Sequence, residues 1–82
     1  MNYPVLFERI VSADFPAGYY YAHLPTLGLT THGLGIDGAK AAATDLARLW
    51  IAEKQSNGET VSEPADCLLG TLEISNDALQ SA

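Results

Sequence analysis

The sequence predicts a small mixed domain, α/β in the broad sense (α+β), with its elements in the order β-β-β-α-β. Three observations carry that expectation. Residues 36–55, IDGAKAAATDLARLWIAEKQ, are the one long segment whose apolar residues recur at helical spacing. Three shorter stretches before it are rich in aromatic and β-branched residues and are parted by turns bearing Gly and Pro. A connector containing Pro64 then leads to a last apolar stretch at 71–74. A chain of 82 residues supports one domain with a small core, and 48% hydrophobic against 17% charged residues favours folding over disorder. The domain is expected to occupy residues 1–74, with 75–82 as a C-terminal tail that is loose or forms one frayed helical turn.

The first strand is read from Tyr3 to Ile10, with Pro4 at its start, where a missing N–H does little harm. Alternation puts Val5 and Phe7 on one face and Leu6, Glu8 and Ile10 on the other. Residues 11–18, VSADFPAG, hold the turn-formers Ser12, Asp14, Pro16 and Gly18. Gly18 to Leu24 forms a second, antiparallel strand, with Tyr19, Tyr21 and His23 on one face and Tyr20, Ala22 and Leu24 on the other. Pro25 to Gly28 turns the chain into a short third strand, Leu29 to His32. Gly33 and Gly35 follow, at positions expected to take backbone angles that other residues avoid.

In the helix, Ile36, Ala39, Ala43, Leu46 and Trp50 form the expected buried stripe, widened by Ala42, Leu49 and Glu53. Alanine in its first half permits close approach to the sheet, and Trp50 fills a wider gap. Asp37 is placed to accept a first-turn amide and to suit the positive helix end. Asn57 and Gly58 mark the stop, since both tolerate the left-handed conformation. After the connector, Thr71 to Ile74 is expected to be a fourth strand, parallel to an earlier one because it follows a crossover helix.

One helix covers one sheet face. The other face remains partly apolar, and contiguous apolar patches of several hundred Å² are unusual on a solitary monomer. That face, with Leu6, Glu8, Ile10, Tyr19, Tyr21 and His23, is therefore the candidate protein–protein interface, most simply of a two-fold homodimer or a higher homo-oligomer. The alternative is that loops and the C-terminal tail fold over it.

Composition narrows the function. A formal charge of −6, with Arg9, Lys40, Arg48 and Lys54 scattered, argues against direct nucleic-acid binding and suits a basic protein partner. No apolar run spans a bilayer, and the start lacks the pattern of a secretion signal, so a cytoplasmic protein is expected. Cys67 is the only cysteine and reads as a structural thiol. His23 and His32 lie on adjacent strands, with Glu8 or Asp14 as a third ligand, but no spacing signature demands a metal. Ser12, Thr30, Thr31 and Cys67 lack a motif that sets a base beside them, and Gly28, Gly33 and Gly35 do not make a phosphate loop. No catalytic residue, metal or cofactor is expected.

Read together, YPVLFE, GYYYAHLP, the threonine and glycine around His32, the alanine-rich helix and NGETVSEP resemble the HicB-like antitoxin domain family. The matching positions are Tyr3, Pro4, Val5, Phe7, Glu8, Gly18, Tyr19, Pro25, Leu27, Gly28, Thr31, Gly33, Ala39, Gly58, Val61 and Pro64, spanning residues 3–64. There are departures. The turn at Leu27-Gly28-Leu29 lacks the family's second proline and cysteine; Gly35 stands where the helix cap is usually Thr or Ser; Gly38 replaces a helix acid; Ser62 replaces a proline-flanking residue. The resemblance implies a reduced ribonuclease-H-like or ferredoxin-like fold. It also implies a non-catalytic antitoxin of a toxin–antitoxin system, which binds and neutralises a small basic mRNA-cleaving toxin of the HicA kind. The family's C-terminal DNA-binding segment is not expected, because about 18 residues after Pro64 are too few for a helix-turn-helix. The rival expectations are a self-assembling HicB-like scaffold without a toxin, and a metal-dependent hydrolase using a degenerate ribonuclease-H-like carboxylate site.

Overall fold

The computed structural model describes residues 2–76. The chain runs β1 (Leu6–Arg9), β2 (Tyr19–Leu24), β3 (Leu29–Leu34) and α1 (Gly35–Ser56). The strands form one antiparallel sheet in the order β1-β2-β3, and α1 packs on β2 and β3. This is the α+β arrangement expected from the strand and helix patterns.

The helix begins through backbone geometry. Its N-cap is Leu34, which offers no side-chain cap bond. Gly35 takes a left-handed φ of 69°, which breaks the extended run of β3, and its N–H donates to the Gly18 carbonyl at 2.7 Å. That bond ties the start of α1 to the start of β2. Asp37 is therefore not a cap; it is an acid in the first turn, where its charge suits the helix end. The stop falls where Asn57 and Gly58 place it. Gly58 has φ 72°, its N–H reaches the Gln55 carbonyl at 3.0 Å, and the Glu59 N–H reaches that of Lys54 at 2.9 Å. These two bonds satisfy carbonyls the helix end would otherwise leave unpaired.

Between sheet and helix lies a core of Ala22, Leu24, Leu27, Ala39 and Ala43, with Phe7, Tyr20, Trp50 and Ile51 packed around it. Ala22 and Ala39 are wholly buried, because small side chains let α1 sit directly on β2. Gly33 serves the same close approach. Its backbone angles are ordinary, contrary to expectation, but a Cβ there would overlap the Gly38 carbonyl and the Ala39 amide. Helix and strand touch backbone to backbone at this point.

The buried stripe of α1 is rotated from the expected one. Ile36 and Leu49 are exposed, while Ala47 and Ile51 pack against the core beside Ala39, Ala43 and Trp50. The cause is the offset of the helix over β2 and β3, which turns its Ala47 and Ile51 flank inward.

No fourth strand forms among the described residues. Residues 59–75 contain neither helix nor strand. Their first part is held to the domain: Val61 packs against the core, and the Tyr3 hydroxyl donates to the Ser62 carbonyl at 2.9 Å. Beyond Pro64 the chain is exposed, with residues 65–68 still lining a cleft beside Asn2, Tyr3 and Pro4. Leu68, Leu69 and Leu72 are 98%, 80% and 90% exposed, so Thr71 to Ile74 meets no sheet edge, and a strand exists only by pairing. Of the tail expected at 75–82, residues 77–82 lie outside the described residues. No helix among the described residues is long and apolar enough to cross a membrane.

Candidate functional site

The strand register settles which side chains share the sheet face away from α1. Leu6 stands opposite His23 and Glu8 opposite Tyr21 across β1 and β2. Tyr19, Tyr21 and His23 stand opposite Leu34, His32 and Thr30 across β2 and β3. Residues directly opposite in an antiparallel pair point to the same face. The structure thus brings Leu6, Glu8, Tyr19, Tyr21 and His23 together, as expected, and adds Thr30, His32 and Leu34.

Ile10 is the correction. It is 7% exposed and buried outside the helix-side cluster, so it is not an available contact residue. It follows β1 as the chain enters the 11–18 loop, and its N–H donates to the Tyr19 carbonyl at 2.9 Å. That loop also folds back over one end of the face. The Phe15 ring lies 5.0 Å from His32, 5.9 Å from Tyr19 and 6.2 Å from Tyr21, edge-on or tilted to each. Such geometry sets the positive ring edge against a negative ring face. The alternative of loop cover is therefore realised over the Tyr19 end.

The other end is polar and open. His23 Nε2 lies 2.9 Å from Glu8 Oε1, and His23 Nδ1 lies 3.0 Å from Thr30 Oγ1. An ionised carboxylate only accepts, so Nε2 carries the proton and donates to Glu8. In the neutral ring, Nδ1 then accepts from the Thr30 hydroxyl; in the charged ring it donates to the same oxygen. Both states keep both bonds. The trio spans β1, β2 and β3 and holds the imidazole in one orientation.

A hydroxyl, an imidazole and a carboxylate in line can activate a nucleophile where a pocket holds the substrate. Here the side chain of Glu8 is 63% exposed on an open face. Two clefts among the described residues lie away from it: one beside Tyr3, Pro4, Pro64 and Cys67, the other between the N-terminal segment and α1. Among the described residues no three His, Cys, Asp or Glu side chains are grouped to hold a metal ion.

Leu6 and Leu34 are 42% and 63% exposed at the two sheet edges, flanking half-buried Tyr19, Tyr21 and His23. Glu8 is the one carboxylate among the strand residues of this face; the other described acids sit on the 11–18 loop, α1, the connector and the arm beyond Pro64. Thr30 and His32 were legible from alternation in the third strand, whereas Leu34 lies beyond the Leu29 to His32 bounds read for it, in a strand that runs on to Leu34. Phe15 carried its own signal, an aromatic residue set between the turn-formers Asp14 and Pro16. Comparison of the chain with family models, curated proteins and solved structures finds no match.

Proposed function

We propose that the chain is a non-catalytic protein-binding module of the HicB-like antitoxin kind, acting in the cytoplasm by covering a small basic mRNA-cleaving toxin. The observation that carries the binding role is the sheet face away from α1, where Leu6 and Leu34 stay exposed around a band of tyrosine and histidine. Tyrosine rings with polar tips suit a surface that is wet when free and dry when bound. The formal charge of −6 favours encounter with a basic partner, and the aromatic face supplies the contact. In this reading the fold is the reduced ribonuclease-H-like one, and Thr71 to Ile74 completes the sheet as a fourth, parallel strand once it has an edge to pair with.

The test is co-expression with the small basic protein encoded beside this chain. A stable complex is expected, broken by Leu6→Asp combined with Leu34→Asp. Failure of the neighbour to bind ends the toxin reading. A second reading, self-association through the same face, is favoured by the exposure of Leu6 and Leu34. It predicts that the double variant loses an oligomer in the absence of any partner. Nuclease activity with Mg²⁺ or Mn²⁺ that disappears on replacing single carboxylates would overturn the non-catalytic reading.

A further inference from the structure

The helix leaves one strip of the sheet uncovered on its own side. Because α1 lies on β2 and β3, a groove of about 610 Å³ runs between it and the segment leading into β1. Tyr3, Val5, Ala43, Ala47 and Ile51 line it with apolar surface, and Lys40 and Arg48 stand along it two helical turns apart. Neither cation has an ion-pair partner among the described residues, where the salt bridges are His23–Glu8 and Lys54–Glu59. Next to the groove, β1 is an outer strand of the sheet, with one edge of its backbone unpaired.

The same chain carries a segment of matching character. Residues 67–74, CLLGTLEI, form neither helix nor strand and are exposed along their length. In strand conformation Leu68, Gly70, Leu72 and Ile74 fall on one side, an apolar stripe of period two. Asp66, on the same side as this stripe, brings an acid toward the groove that Lys40 and Arg48 line. The arm makes the molecule long, 50 × 27 × 20 Å, with a radius of gyration of 16.0 Å. A compact chain of this length has about 12 Å.

We infer that this arm is exchanged between two copies: residues 67–74 of each chain add to the β1 edge of the other and lay Leu68, Leu72 and Ile74 into the groove beside α1. One exposed apolar stripe and one unfilled apolar groove on each chain are both satisfied by a reciprocal pair. The added strand supplies the missing backbone partners of β1, the mode by which extended segments join open sheet edges. The inference rests on reading 71–74 as a strand in waiting, and is independent of what docks on the opposite sheet face.

Cys67, the only cysteine, gives the test. A nitroxide is attached to it on chains of natural isotope content, which are mixed with ¹⁵N-labelled chains carrying Cys67→Ser. Broadening of the Val5 and Ala47 amides in the labelled, nitroxide-free chain is expected. Leu72→Asp, at a residue exposed in the single chain, should abolish the broadening and halve the sedimenting mass to that of the 8.7 kDa chain while leaving the helical circular dichroism unchanged. Broadening seen only when one chain carries both labels refutes the exchange, because Cys67 already lines a cleft with Tyr3 and Pro4 of its own chain. No broadening between chains refutes it likewise. A dimer that survives Leu72→Asp also overturns the proposal. The wild-type mixing result decides the matter even should that variant fail to fold.

Discussion

The two sides of the sheet are made from the same three strands and are closed in different ways. Toward α1 the closure is by close approach: Gly33 meets the Gly38 and Ala39 backbone, and Ala22, Ala39 and Ala43 leave no room for a larger side chain. Away from α1 the closure is by one loop side chain, Phe15, over one end, with a hydrogen-bonded trio at the other. The first side is short of volume and the second of cover. Substitutions should therefore act on stability in the first and on association in the second.

The largest effect is expected where the backbone contact is tightest. Gly33→Val forces β3 and α1 apart, and a loss of about 3 kcal/mol or more follows from overpacking against immobile backbone. Thermal denaturation should show a fall of roughly 15 °C or outright unfolding; a melting temperature within a few degrees of wild type would show that the helix can slide. Leu24→Ala comes next. Leu24 is 5% exposed, and cavity formation at such sites costs about 2–4 kcal/mol, readable in urea titration.

On the opposite side the scale drops. Phe15→Ala should cost about 1–2 kcal/mol, since the ring is half-buried and its pair geometry contributes on the order of 1 kcal/mol. Its more telling consequence is wider exposure of Tyr19 and Tyr21, measurable as greater dye binding or self-association with helical circular dichroism retained. Thr30→Val removes the hydroxyl that meets His23 Nδ1 and should cost only about 0.5 kcal/mol at this exposed site. Leu49→Ala, at a residue 72% exposed, should lie within about 0.5 kcal/mol of wild type. A large loss there would restore Leu49 to the buried stripe and contradict the helix orientation.

Local signals carried most of the fold. Aromatic runs between turns placed β1, β2 and β3, and Asn57-Gly58 placed the end of α1 within a residue or so. The misreadings have a common cause in non-local contact. The helix is apolar on two adjacent flanks, so spacing alone selected Leu49 as readily as Ala47 and Ile51; only the position of the sheet decides. Gly33 was legible as special, but its reason is the first turn of α1 folding back on it at Gly38 and Ala39, and not an unusual backbone angle. Leu27 lies in the turn where it was read, and from that turn it also joins the core, 7% exposed. Thr71 to Ile74 has strand chemistry and no strand, since a partner edge is not encoded in its own residues. At the candidate site the alternation of β2 located the face, while the burial of Ile10 beside the 11–18 loop follows no period and was not legible.

The central claim is that the face bearing Leu6, Tyr21, His23 and Leu34 docks another protein. Titration calorimetry with the small basic protein encoded beside this chain tests it most directly, comparing wild type with Leu6→Asp/Leu34→Asp. Wild type should bind, and the double variant, still helical by circular dichroism, should bind at least about 100-fold more weakly, because docking would bury two unpaired carboxylates. Equal affinities for the two, or no binding by wild type, would contradict the account.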